Sequence, residues 1–202
     1  QSEIADNAWN YVQTSWYNNW TSYLIESLFK RHQNVISAVG EIKSVDFFLN
    51  NIPIDLKVTL FPNKYMEEKL KIKLKKKELT WLKHKVKGIT VDCTQSEPQQ
   101  LYTLSEKLKE IGKDNILEEL KSRRQEVIVD AQANKLELIT WLYANQGEMR
   151  FGAENRLFVV LVDSTNMSES WKMKRAFSLI EPKIKNYLDN FNEESLQEIN
   201  FT

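Results

Sequence analysis

VDFFLNNIPIDLKVT, residues 45–59, is the stretch on which the reading of this chain turns. Two apolar, strand-like runs flank Asn50-Asn51, and asparagine tolerates the positive φ angles of a tight two-residue hairpin turn. A turn symmetric about that pair sets Leu49 against Ile52 and Phe47 against Ile54, and it predicts that Asp46 falls directly opposite Asp55. Cross-strand neighbours have Cβ atoms roughly 5 Å apart, where two carboxylates at an effective dielectric near 20 repel by about 3 kcal/mol. A structural sheet would avoid such a pair, whereas a divalent cation between the acids removes the objection. Alternation along the strand then places Lys57 on the face of Asp55, with Ile54, Leu56 and Val58 on the other.

Upstream, apolar residues at helical spacing predict a helix over Asp6–Lys30, with Trp9, Val12, Trp16, Trp20, Tyr23 and Leu24 on one broad face serving as core or as a partner contact. Val35–Val39 reads as a short strand and Gly40–Lys43 as a turn. A helix and three strands thus come in succession. Downstream, Lys69–Lys75 fits both a strand and a helix, and Met66, Leu70, Leu74 and Leu82 favour the helix. Ile89–Cys93 reads as a buried strand, and Ser96 and Pro98 open a helix that stops near Gly112. One long helix or two shorter ones fill Asp114–Asn145, and Gly147 and Gly152 bracket a loop. The run LFVVLV, Leu157–Val162, predicts a strand covered on both faces, with helices around Pro182 after it.

The chain has 202 residues, of which 42% are apolar and 11% aromatic. That suits a folded protein of one domain over 1–202, with room for a helical, basic insertion at about 63–147. Net charge is zero, so its distribution carries the information. Lys64–Lys87 is strongly basic and Asn186–Thr202 carries only acidic charges. Cys93 is the single cysteine, which excludes an intramolecular disulfide, and with two histidines nothing suggests a zinc site. Cys93 reads as a small core residue, and His32 and His84 as incidental. No apolar run reaches membrane-spanning length and no signal peptide is evident, so a cytoplasmic protein without membrane association is expected.

Acid-x-Lys triplets are common, and others begin at Glu41, Glu67, Glu119 and Glu181. The Asp55 example stands apart because it lies in an apolar strand with Asp46 upstream across a hairpin. With Asp46 as first acid, Asp55 as second and Lys57 as the lysine, the stretch resembles the PD-(D/E)XK nuclease superfamily, also called restriction-endonuclease-like. The likeness covers roughly the first 60 residues. Val45 stands where the motif has proline, and no Q-x-x-x-Y follows the lysine, which counts against the RecB-like branch.

The resemblance implies an α/β fold with a restriction-endonuclease-like αβββαβ core, a central mixed β-sheet flanked by helices, and additional helices here. It implies a metal-dependent endodeoxyribonuclease that hydrolyses DNA phosphodiester bonds, in the setting of a restriction or other mobile-DNA defence system. Asp46, Asp55 and the Leu56 carbonyl would hold Mg²⁺ or Mn²⁺, with Lys57 as a catalytic residue. Glu26, on the first helix, is the match for a family glutamate that is both catalytic and a metal ligand. Lys69, Lys71, Lys73, Lys75, Lys76, Lys77, Arg123 and Arg124 are the candidate DNA-phosphate contacts, against the ordinary reading of a solvated basic face. A homodimer or larger nuclease assembly follows from the need to cut two strands. Two alternatives remain open: a catalytically inactive DNA-binding or assembly module of the same fold, and an α-rich interaction domain that uses the tryptophan-rich helix.

Overall fold

The computed structural model describes residues 2–39, 45–86, 88–145 and 155–199, with side chains from residue 5. It is an α/β protein with a four-stranded mixed sheet flanked by helices. In chain order the elements are α1 (Ser2–Lys30), β1 (Val35–Ser37), β2 (Phe47–Leu49), β3 (Ile52–Leu60), α2 (Asn63–Leu74), α3 (Glu78–Lys85), α4 (Glu97–Glu110), α5 (Asp114–Ala133), α6 (Lys135–Asn145), β4 (Asn155–Leu161) and α7 (Phe177–Asp189). A 3-10 helical segment, Met167–Arg175, precedes α7. The chain divides into two compact units, one formed by residues 1–60 with 146–202 and the other by 61–145.

The first unit is built on the sheet, whose order is β1-β2-β3-β4. β1, β2 and β3 form an antiparallel meander, and β4 runs parallel to β3 from Ile54↔Asn155 to Leu60↔Leu161. Ile25 and Phe29 of α1 and Ile180, Ile184 and Leu188 of α7 join Phe47, Leu49, Ile54 and Leu56 in one core. Phe29 and Phe47 stack there with centroids 5.4 Å apart. Complete burial of each large side chain of this kind contributes about 1.5–3 kcal/mol.

The second unit is helical. Leu70 and Leu74 of α2, Trp81 and Leu82 of α3, Leu104 and Leu108 of α4, and Ile116 and Leu120 of α5 form its core. The basic run is therefore helical, as its spacing predicts. Lys75, at φ 57°, ends α2 in the left-handed region, and Gly112, at φ 68°, follows the end of α4; the glycine accepts this conformation without a Cβ penalty.

Three expectations need correction. Ile89–Cys93 forms no strand: Asp92 accepts hydrogen bonds from the Thr94 amide and hydroxyl at 2.9 and 2.6 Å, which holds the backbone in a local turn. Cys93 is exposed rather than in the core. β4 lies at an edge of the sheet and is only partly buried over most of its length, so it is not a strand covered on both faces. The α1 stripe, expected as core or as a partner contact, is not core: Trp9, Val12, Trp16, Trp20 and Tyr23 are all exposed and Leu24 is half-buried, which leaves the partner contact. Packing uses Thr21, Ile25 and Phe29 instead. The residues around Gly147 and Gly152, and Glu41, lie outside the described residues. No described helix is long and apolar enough to cross a membrane.

Candidate active site

The turn that organises the site is the one expected from its sequence. Asn50 and Asn51 have φ angles of 48° and 69°, both left-handed, and Leu49 pairs with Ile52 and Phe47 with Ile54. Two consecutive positive φ values match the right-handed twist of the flanking strands. Asparagine accepts them at lower cost than β-branched residues.

Beyond Phe47 the regular ladder ends, and this corrects the simple picture of Asp46 directly opposite Asp55. The Asp46 amide donates to the Ile54 carbonyl at 2.8 Å, so Asp46 and Phe47 both meet Ile54, the two-against-one count of a β-bulge. The Asp46 carboxylate then reaches forward, and its Oδ2 accepts the Leu56 amide at 2.7 Å. Asp46 therefore straddles Asp55, bonded to the residue before it and to the residue after it. In an antiparallel pair a residue's N–H and C=O point to the same neighbour, so the Leu56 carbonyl opens toward the Asp46 side of β3.

Asp55 is buried, with its side chain 5% exposed. Lys57 Nζ donates to its Oδ1 at 2.5 Å and Arg156 Nε to its Oδ2 at 3.1 Å. The alternation of β3 sets Asp55 and Lys57 on the face away from Ile54 and Leu56, and the parallel pairing Asp55↔Arg156 brings Arg156 to that same face. A buried carboxylate requires such partners, since an unpaired one would cost several kcal/mol. Lys57 keeps 42% of its side chain exposed, so its ammonium reaches solvent while bonding the buried acid. Sequence reasoning missed Arg156. Its signal was its place immediately before LFVVLV, and the parallel register needed to use it depends on a long crossover, from Leu60 to Asn155.

No family model, no curated protein and no solved structure matches this chain. The chemistry must come from the residues themselves.

Glu26 is not gathered into the group. It pairs with Lys30 one turn along α1, and α1 packs against the Ile54 and Leu56 side of the sheet. Among the described residues no set of three Asp, Glu, His or Cys side chains comes together to hold a metal ion. The oxygen donors at the hairpin are the Asp46 and Asp55 carboxylates and the Leu56 carbonyl. Such hard oxygens fit Mg²⁺ or Mn²⁺, which need only one or two protein carboxylates and complete their shell with water and phosphate oxygen.

The candidate phosphate contacts belong to the 61–145 unit and divide into two groups. Lys69 pairs with Glu137, Lys73 with Asp130 at 2.7 Å, Arg123 with Glu126 at 3.0 Å, and Arg124 with Glu78. Three of these pairs join helices of the unit, and Arg123–Glu126 lies within α5. Lys71, Lys75, Lys76 and Lys77 are exposed and make no ion pair among the described residues. His32 also has a structural role, its Nε2 lying 2.9 Å from Asp189 Oδ1.

Proposed function

We propose that this chain is a divalent-metal-dependent endodeoxyribonuclease of the PD-(D/E)XK type. The observation that carries the reading is the way Asp46 is tied to the backbone on either side of Asp55 while Lys57 bonds the buried Asp55 carboxylate. A bulge that re-aims an acid at the end of a hairpin is a common device beside active sites, and a sheet built only for stability gains nothing from tying a second acid to the backbone on either side of a buried one. The order helix, three-stranded meander, helices, parallel strand supports the restriction-endonuclease-like core.

Asp46, Asp55 and the Leu56 carbonyl would hold the metal. When bound, Mg²⁺ or Mn²⁺ supplies Lewis acidity toward phosphate oxygen and acidifies a bound water. Asp55, withdrawn from solvent, keeps its carboxylate fixed through Arg156. Lys57, half in solvent, can turn from Asp55 to a phosphate oxygen and donate to it as negative charge gathers there. Hydrolysis adds water to phosphorus and breaks one P–O ester bond, leaving a phosphate monoester and a hydroxyl. Lys71, Lys75, Lys76 and Lys77 are the cations available for the DNA backbone.

The second reading, a DNA-binding or assembly module of the same fold that does not cut, is favoured by one feature: Lys57 and Arg156 occupy both oxygens of Asp55. Plasmid DNA incubated with Mg²⁺ or Mn²⁺ separates the two. Nicking or linearisation by the wild type, abolished in folded Asp55→Ala and Lys57→Ala proteins, is the expected result. DNA that is shifted on a gel and never cut supports the second reading.

A further inference from the structure

The first half of α1 has no partner within the described protein. Residues 5–14 are exposed throughout, and a helical segment of this length is marginal in water unless packing supports it. Yet one side of α1 carries a continuous stripe: Trp9, Val12, Trp16, Trp20 and Tyr23, at 63, 56, 63, 43 and 65% exposure. Trp16 and Trp20 stack in it with centroids 5.6 Å apart and rings 5° from parallel. The opposite side of the helix is already used, since Tyr17 Oη donates to the Trp171 carbonyl, Asn18 accepts from Lys174, and Ile25 and Phe29 enter the core.

What covers the stripe can be read from its charge and its spacing. From Asn7 to Ile25 there is no Asp, Glu, Lys or Arg, in a chain that is 28% charged. Charge depletion with aromatic enrichment is the signature of a protein interface core. A nucleic-acid surface would carry cations, and a helix lying on a lipid surface would carry Lys or Arg along its polar face. The stripe steps along the helix by 3, 4, 4 and 3 residues, so it reads the same in both directions from Trp16. A two-fold axis at Trp16 would pack a second α1 antiparallel to the first: Trp16 against Trp16, Val12 against Trp20, and Trp9 against Tyr23. This self-complementarity is what an isologous interface requires. The exposed surface of the five side chains is on the order of 700 Å² per copy, close to the roughly 800 Å² per partner of a standard interface.

We propose that the occupant is a second copy of this chain, docked α1 to α1 in antiparallel sense about Trp16. The docking is independent of the nuclease reading. Sedimentation equilibrium at micromolar concentration should give twice the 23.8 kDa chain mass, and Trp16→Lys, which lies outside the core, should leave cooperative urea unfolding of the protein intact, with any loss of helix confined to the start of α1, while weakening the dimer about 100-fold. In a Cys93→Ser background, Trp16→Cys should form an intermolecular disulfide, Trp9→Cys alone should not, and Trp9→Cys mixed with Tyr23→Cys should. A monomeric wild type, a dimer indifferent to Trp16→Lys, or ready cross-linking of Trp9→Cys to itself would each overturn the proposal. A monomer that sediments with phosphatidylcholine vesicles would assign the stripe to lipid instead.

Discussion

Arg156 Nε donates to Asp55 Oδ2 at 3.1 Å across the parallel β3–β4 pair, with the two side chains 10% and 5% exposed. The bond joins the hairpin to a strand that arrives only after the whole 61–145 unit. Breaking a buried ion pair from one side strands the other charge and costs about 3–5 kcal/mol. Because Lys57 still holds Oδ1, Arg156→Met should destabilise the protein by less than that full cost, at most about 3 kcal/mol. The same substitution made in Asp55→Asn should cost less, because no buried charge is then left half-paired. A double-mutant cycle from urea unfolding gives the coupling directly.

The turn makes a second prediction. Asn51→Gly should be neutral or slightly stabilising, since glycine adopts φ near 69° freely. Asn51→Val should cost about 1–2 kcal/mol because a β-branched residue resists the left-handed region. The shift in denaturation midpoint measures both. If the bulge at Asp46 depends on this turn, Asn51→Val should also lose more cleavage activity than its stability loss explains.

Among the basic residues, the structure separates those paired with carboxylates of their own unit from the exposed Lys71, Lys75, Lys76 and Lys77. Lys75, Lys76 and Lys77 changed together to Ala should weaken DNA binding and lower the slope of log affinity against log salt by about 1 for each phosphate no longer neutralised. Lys73→Ala should act first on stability, because it removes the pairs with Asp130 and Glu126. Fluorescence anisotropy across a salt series tests the first effect and thermal unfolding the second.

Lys174 gives a pH prediction. Burial holds its ammonium below the ordinary lysine value of 10.5, so between its lowered folded value and 10.5 the unfolded chain binds more protons than the folded one. Stability conferred by this site therefore rises with pH across that window. Lys174→Met should remove that contribution to the slope, so the wild-type Tm should rise relative to the variant's as pH rises toward 10.5.

How far the sequence spoke for this structure depends on how local each signal was. The Asn50-Asn51 turn, the strands beside it and the helical basic run were legible because turn chemistry and periodicity act over a few residues. The bulge was not, since Asp46 leaves the ladder only when its carboxylate captures the Leu56 amide, a choice that alternation cannot reveal. Arg156 was hidden by distance along the chain. The Trp-rich stripe was read correctly as apolar and helical, but helical spacing does not say which of two apolar faces meets the core. Here Thr21, Ile25 and Phe29 do, and the larger aromatics stay outside.

On the proposed function, the hairpin carboxylates form one divalent-cation site. Mn²⁺ titration followed by electron paramagnetic resonance tests it most directly, because bound and free ion are distinguished without reference to turnover. The wild type should bind one Mn²⁺ per chain, displaceable by Mg²⁺, and Asp46→Asn and Asp55→Asn proteins that remain folded should each lose it. A wild type that leaves all Mn²⁺ free, or variants that bind it as the wild type does, would contradict the claim.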